Sequence, residues 1–251
     1  MAVQTLSSPE GASETLLPEW HEALFGIDLA LLLSSPVYYG VGVPHGDGSA
    51  VLVVPGFMHG DTYLLLMNAW LRRLGYRPYY SRIGFNASCP NLLIKEILDP
   101  AIKEIVRETR GKLHLIGHSL GGTIARSVAV LRPRYIASVI TLGSPIRQTR
   151  VHPTIFRDAE TVRRYVVEHS LNVHAECMTS ACTCDYMTSS QMPVPKRVRC
   201  TAIFTQNDGS VDWHSCRTGD PAVDVAVPGT HTGLVFNATA YSVIAQRLAG
   251  K

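Results

Sequence analysis

Residues 113–122 read LHLIGHSLGG, and this stretch places one small polar residue, Ser119, among glycines at the end of an apolar run. The run at 112–116 predicts a buried strand, and the apolar spacing along Leu120–Leu131 predicts a helix that begins directly after the serine. A sharp turn between them would expose Ser119 at the carboxyl end of the strand, and glycines permit such a tight backbone. The pattern therefore favours a nucleophile on a strand-to-helix turn over a serine that only caps the helix.

Strands and helices alternate on both sides of this turn. Further helices are predicted at 62–74 and 237–249, and at 91–111, where Pro100 either kinks the helix or opens a second one capped by Asp99. Several predicted strands are continuously apolar, which is typical of parallel sheets covered on both faces. We therefore predict an α/β fold with a mostly parallel central sheet and helices on both faces. The other predicted strands are Ala50–Val54, 77–81, 136–145, 197–205 and 222–227.

The stretch 147–196 interrupts this alternation. It is long, lies between two predicted strands, and contains the cysteine-rich sequence CMTSACTC. We interpret it as a cap or lid inserted into a core formed by 37–146 and 197–251. An N-terminal segment with a helical stretch, 1–36, precedes that core.

Composition limits the classes of partner. The chain has 251 residues, of which 46% are hydrophobic and 17% charged, an ordinary balance for a globular protein. Lys and Arg total 23 against 20 Asp and Glu, and the resulting charge of +3 is too small to favour nucleic acid as a partner. We also find no apolar run long enough to cross a bilayer.

The N-terminal sequence and the cysteines bear on the compartment. The first twenty residues lack the charged and apolar regions of a signal peptide, so we expect a cytoplasmic protein with reduced thiols. The spacing CxxxxCxC lacks the paired CxxC of common zinc sites, so we expect no metal. The disulfide state stays open for five of the cysteines, Cys177, Cys182, Cys184, Cys200 and Cys216.

A serine nucleophile needs a base, and the base needs an orienting acid. In strand-turn-helix hydrolases these follow the serine in the order acid, then histidine. Among the later histidines we favour His231, because it lies between the last predicted strand and the last helix. A loop there returns to the sheet edge where Ser119 is expected.

The acid should follow the strand before last, and IFTQNDGSVDWH offers Asp208 and Asp212. We favour Asp208, which lies in a turn three residues beyond the strand. An Asp before Gly is also explained by turn formation alone.

Backbone N–H groups should stabilise the oxyanion that forms when the serine attacks. One donor is Leu120, next to the nucleophile. The other belongs to the loop VVPGFMHGD, and is Phe57, or Met58 if the loop is shifted. Neighbouring residues of these segments, Met58, His118 and Ile146, are candidate substrate-binding residues. The acyl pocket is expected to be lined by PGFM, the helix 62–74 and the insertion.

These motifs together resemble those of the α/β-hydrolase lipases and esterases over residues 37–250. The resemblance is closest to bacterial triacylglycerol-lipase-like proteins, which combine a PGF loop with a GHSxGG turn. It implies a triad of Ser119, Asp208 and His231 with Phe57 and Leu120 as oxyanion donors. Two departures are Pro55-Gly56, where many lipases have His-Gly, and the absence of a family signature in 147–196. The motifs that carry the resemblance are VLVVPGF, LHLIGHSLGG, VITLGSP, DGSV and GTHTGL.

The predicted function is hydrolysis of a carboxylic ester with an apolar acyl group, without a cofactor. The same triad would also serve an acyltransferase or a thioesterase. A third possibility is a non-catalytic binding protein on a hydrolase fold. The sequence leaves the acyl length, the leaving group and the oligomeric state open.

Overall fold

Six parallel strands form the central sheet of the computed structural model, which describes residues 17–146, 150–170, 172–179 and 181–250. Their order across the sheet is β2-β1-β3-β4-β5-β6, and every neighbouring pair is parallel. The predicted fold class is confirmed. The strands are β1 (Ala50–Val54), β2 (Arg77–Tyr80), β3 (Leu113–His118), β4 (Ile136–Leu142), β5 (Arg199–Phe204) and β6 (Asp224–Ala226).

Helices cover both faces of this sheet. The side chains of β1 alternate between the two faces. Val51 and Val53 belong to the apolar cluster on one face, and Leu52 and Val54 belong to the cluster on the other. Helices α1, α2 and α8 belong to the first face, and α4 and α5 to the second. The helices are α1 (Phe25–Ser34), α2 (Leu65–Arg73), α3 (Pro90–Leu92), α4 (Asp99–Thr109), α5 (Leu120–Leu131), α6 (Pro153–His169), α7 (Asp185–Ser190) and α8 (Ala238–Leu248).

The helical run continues through Pro100. A π-helical turn, Leu93–Leu98, joins α3 to α4 just where the missing N–H of Pro100 would interrupt a regular helix. Asp99 is the first residue of α4, so the alternative in which it caps a separate helix is wrong. Its buried carboxylate instead accepts a hydrogen bond from the Arg132 guanidinium at 2.6 Å, which ties α4 to the end of α5.

The insertion and the N-terminal segment lie against the core. The insertion contributes α6 and α7, and α7 packs on α5, where the Tyr186 hydroxyl lies 3.1 Å from Thr123 Oγ1. The N-terminal segment contributes the 3-10 helix Glu19–Leu24 and α1. Outside the described residues lie 1–16 of the predicted N-terminal segment, 147–149, 171 and 180 of the predicted cap, and 251 of the predicted core.

Glycines allow the β3–α5 turn to approach β1 closely. A Cβ atom on Gly121 would overlap the carbonyl oxygens of Val54 and Pro55, and one on Gly117 would overlap the backbone of Gly121. In the sheet, Gly117 is also the direct partner of Val54. The ends of β1 and β3 therefore meet at backbone contact, which fixes the two loops that follow them.

We expect Gly121→Ala to lower the free energy of unfolding by about 1–3 kcal/mol, because the added methyl group must displace backbone. Gly26→Ala is the matched control. It lies in α1 with no atom within 4 Å of the added Cβ, and it should be neutral or stabilising by up to about 1 kcal/mol. Urea unfolding of both variants measures the difference. An unchanged stability of Gly121→Ala would contradict the close approach.

Candidate active site

Three loops at the carboxyl edge of the sheet hold the predicted triad. Ser119 follows β3, Asp208 follows β5, and His231 lies between β6 and α8. The nearby cavity opens where the strand order reverses at β1 and β3, the usual position for ligands in open α/β sheets. Ser119 and His231 both line this cavity, whose volume is about 350 Å³.

Ser119 has a strained backbone that surrounding bonds hold in place. Its φ of 52° and ψ of −125° are unusual for a residue with a side chain, and such geometry costs on the order of 1–3 kcal/mol. The Ser119 N–H donates to the Leu142 carbonyl at 2.8 Å, and its carbonyl accepts from the Gly122 N–H at 2.9 Å. This conformation holds the side chain at the cavity wall directly before α5.

Asp208 and His231 form a buried pair. His231 Nδ1 lies 2.7 Å from Asp208 Oδ2, and both side chains are almost completely buried. The other carboxylate oxygen accepts hydrogen bonds from the N–H groups of Ser210 at 2.9 Å and Val211 at 2.7 Å. Asp208 therefore forms the turn expected of an Asp before Gly and also orients the histidine.

Asp212, the alternative acid, is engaged elsewhere. Its Oδ1 lies 2.8 Å from Nδ1 of His214 and also accepts the His214 N–H at 3.0 Å. This second pair begins the 3-10 helix Trp213–Cys216. The geometry thus supports Asp208 as the partner of His231.

The pKa values of the neighbouring residues His231 and His118 are shifted in opposite directions. Burial lowers the pKa of His231, but the charge and hydrogen bond of Asp208, with the charge of Glu22, outweigh it and raise that pKa above its ordinary value. Burial and the neighbouring His231 lower the pKa of His118 well below its ordinary value. Neutral His118 has its Nε2 3.0 Å from the His231 carbonyl, so Nε2 carries the donated proton.

The loop after β1 is held by Asn86. Its side-chain amide donates to the Pro55 carbonyl at 2.7 Å, and the Asn86 backbone carbonyl accepts a hydrogen bond from the Met58 N–H at 3.0 Å. Met58 is therefore occupied as a donor, whereas the Phe57 N–H has no acceptor among the residues that the structure describes. The Leu120 N–H lies at the start of α5, where the helix itself offers no acceptor.

The cavity wall is mostly apolar, and the cap contributes much of it. Pro145 lines the cavity, but Ile146 does not; the Ile146 N–H donates to the Ser215 carbonyl. No residue of 62–74 lines it either, contrary to the expectation for that helix. Met58 and His118, the other two candidate substrate-binding residues, lie in the wall. Its apolar members include Met58, Leu120, Val151, Ile155, Ala159, Val162, Met178, Met187 and Val211.

Three site residues were missed at the sequence level. Asn86 supports the β1 loop, Tyr63 donates its hydroxyl to the Thr232 carbonyl at 2.8 Å, and Glu22 contacts the loops of Asp208 and His231. None of them stands in a motif, and Glu22 is roughly two hundred residues away in sequence from its partners. No local pattern could have identified them.

The six cysteines are free thiols, and the Sγ atoms of Cys89 and Cys177 lie 2.8 Å apart between the core and the cap.

Within the described ranges, no group of three or more His, Cys, Asp or Glu side chains is arranged to hold a metal ion. In the same part of the chain, no helix combines the length and apolar character needed to cross a bilayer.

Sequence comparison links the chain to lipases. A model of the PGAP1-like alpha/beta domain matches residues 87–186. A triacylglycerol lipase of Pseudarthrobacter phenanthrenivorans is 26% identical over 185 residues, covering 67% of this chain and 57% of that protein. A triacylglycerol lipase of Burkholderia plantarii is also 26% identical, covering 67% of this chain and 51% of that protein. The chain thus spans little more than half the length of these relatives.

Two solved structures share the fold. One comes from work on carboxylesterases of Nitrososphaera gargenis, with a TM-score of 0.52 and 15% identity over 82% of this chain and 92% of that one. The other is a soluble variant of monoglyceride lipase from Saccharomyces cerevisiae with a bound substrate analog. It has a TM-score of 0.51 and 14% identity over 83% of this chain and 90% of that one. At this identity the likeness concerns the fold alone.

We expect Asp208→Asn to lower the pKa of His231 below its ordinary value of about 6.5. The amide removes the charge that offsets burial, and burial then dominates. Asp212→Asn is the matched control, since Asp212 contacts His214 instead. NMR titration of the His231 ring measures both variants. A shift in Asp212→Asn without one in Asp208→Asn would reverse the assignment.

Proposed function

We propose that this chain, an α/β-hydrolase of the lipase and esterase type, hydrolyses carboxylic esters through a Ser119–His231–Asp208 triad. One observation carries the proposal: His231, buried and paired with Asp208, lines the same cavity as Ser119, which is held on a strained turn. The similarity to triacylglycerol lipases supports the same reaction class.

Each member of the triad has a distinct task. Ser119 Oγ attacks the acyl carbonyl, and His231 takes the hydroxyl proton and returns it to the leaving alcohol. Asp208 binds Nδ1 of the ring, which leaves Nε2 as the nitrogen for proton transfer. The raised pKa of His231 makes the ring a stronger base, and the Asp208 carboxylate stabilises the imidazolium that forms.

The N–H groups of Phe57 and Leu120 are the proposed donors to the oxyanion. Both residues line the cavity beside Ser119. Asn86 holds the Phe57 loop through Pro55 and Met58, so the donor is oriented before substrate binds. Water then attacks the acyl-enzyme with His231 as base, and the acid product leaves.

The cavity favours an apolar acyl group. Its wall combines core residues such as Leu120 and Val211 with cap residues such as Ile155, Val162 and Met187. A hydrocarbon chain gains on the order of 0.8 kcal/mol for each buried CH₂ group in such surroundings. We therefore propose esters with an apolar acyl chain as the substrate class.

We expect Ser119→Ala to abolish turnover of p-nitrophenyl esters and labelling by a fluorophosphonate, because both require the serine oxygen. Ser88→Ala is the matched control, since Ser88 lines the same cavity. It should keep both activities within about threefold, as expected for a wall residue outside the triad. Undiminished turnover in Ser119→Ala would refute the assignment. Wild-type protein that neither turns over esters nor takes the label would refute the function.

We expect Ala159→Phe to shift the preference of kcat/KM toward shorter acyl chains. Ala159 lies on α6 in the cavity wall, and the larger ring fills space that a longer chain would occupy. Thr161→Phe adds a ring to an exposed position of the same helix and should leave the preference unchanged. Assays with p-nitrophenyl esters of increasing acyl length compare them. An identical profile for both variants would place the acyl chain elsewhere.

A further inference from the structure

We infer that Glu22 is a positioning residue that holds the Asp208 and His231 loops together from the N-terminal segment. The inference rests on the proposed function, because it assigns to Glu22 the alignment of the proposed acid and base. The residue lies in the 3-10 helix Glu19–Leu24, outside every motif that identified the triad.

The Glu22 carboxylate accepts hydrogen bonds from both loops. Its Oε1 accepts from the Gly209 N–H at 2.8 Å and from the His231 N–H at 3.2 Å. Its Oε2 accepts from the Thr232 N–H at 2.7 Å. These donors are the residue after Asp208, His231 itself and the residue after it. One rigid carboxylate therefore sets the separation of the two loop backbones.

The position of Glu22 requires a side chain that accepts hydrogen bonds and donates none. All three partners are backbone N–H groups, which a carboxylate satisfies and a carboxamide satisfies only in part. Gly209 leaves room for the approach, since a Cβ atom there would lie 3.1 Å from Glu22 Oε1. On the other side of the histidine loop, the Tyr63 hydroxyl binds the Thr232 carbonyl at 2.8 Å. The loop is thus held at two successive peptide groups.

Glu22 also adds charge to the surroundings of the histidine. The titratable groups that face His231 are Asp208 through Nδ1, Glu22 through the backbone N–H, and the neutral His118 ring at 4.8 Å between centroids. Tyr63 lies beyond His118, with ring centroids 5.7 Å apart. The charge of Glu22 raises the pKa of His231, whereas His231 lowers the pKa of His118 and so keeps that ring neutral.

Asp28 supplies an internal comparison. It lies on α1, and its carboxylate accepts from the Thr230 N–H at 3.3 Å and from the Asn237 amide at 3.2 Å. It therefore also fastens the N-terminal segment to the last loop. However, among the residues that the structure describes, no hydrogen bond joins it to His231 or to the Asp208 loop. A role limited to fastening would make the two acids equivalent, and a positioning role would separate them.

The experiment compares Glu22→Gln with Asp28→Asn on a p-nitrophenyl ester. In Glu22→Gln we expect kcat to fall by about tenfold, because a slightly misplaced base loses catalysis. KM should stay within about twofold, since the cavity wall is untouched. The acid limb of kcat/KM should move to lower pH, because removing the Glu22 charge lowers the pKa of His231. Asp28→Asn should lower Tm and leave that limb in place.

NMR titration of the His231 ring provides a readout that needs no turnover. Glu22→Gln should lower the pKa of His231, and Glu22→Asp, which keeps the charge, should restore most of it. An unchanged pKa and kcat in a folded Glu22→Gln would overturn the inference. Equal losses in Glu22→Gln and Asp28→Asn, without any change in the pH profile, would assign Glu22 a purely structural role. If the wild type lacks esterase activity but the His231 pKa still responds to Glu22, only the proposed function fails.

Discussion

Backbone contact between the β3–α5 turn and the end of β1 is the constraint on which the site depends. Gly117 and Gly121 permit it, because a side chain at either position would overlap neighbouring backbone. The contact places Ser119 beside the loop that carries Phe57. The proposed reaction needs the nucleophile and the oxyanion donor close together, and the main chain here fixes the distance between Ser119 and the Phe57 loop. The strained backbone of Ser119 is tolerated because its N–H and its carbonyl form hydrogen bonds with the backbone of Leu142 and Gly122, respectively.

Buried charge is arranged so that only one histidine of an adjacent pair is a strong base. The rings of His118 and His231 are tilted against each other with centroids 4.8 Å apart, and two protonated rings at that distance would repel each other in a poorly solvated site. Asp208 lies against His231, whereas in the described part of the chain the His118 ring has the His231 carbonyl as its one hydrogen-bond partner. His118 therefore stays neutral and packs behind the ring without competing for the proton. This asymmetry follows from the loops that surround each ring, since both residues have the same chemistry.

The parts of the site that sequence could predict are those encoded by short-range pattern. The strand, serine and helix around Ser119 are contiguous, and the position of His231 followed from strand and helix order. Asp208 and Asp212 could be ranked but not separated, because the choice depends on which carboxylate reaches the His231 ring. Ile146 was misplaced for a similar reason: beyond the end of β4 the chain turns, so that Pro145 lines the cavity. Glu22 and Asn86 act through backbone groups distant in sequence, and neither leaves a local signal.

The core and the cap have separable tasks. The core carries the proposed triad and the proposed oxyanion loop, so the proposed reaction rests on the loops of the core. The cap supplies Ile155, Ala159 and Val162 from α6, which close the cavity over those groups. The cap is anchored on one side through α7. The Tyr186 hydroxyl contacts Thr123 Oγ1 of α5, and the Tyr186 N–H donates a hydrogen bond to Asn91 Oδ1 at 3.3 Å. Because α5 begins directly after Ser119, the cap is fastened to the helix that follows the proposed nucleophile. Substitutions at the α6 residues that line the cavity can therefore alter substrate preference, while the contact between α7 and α5 keeps the cavity in place beside Ser119.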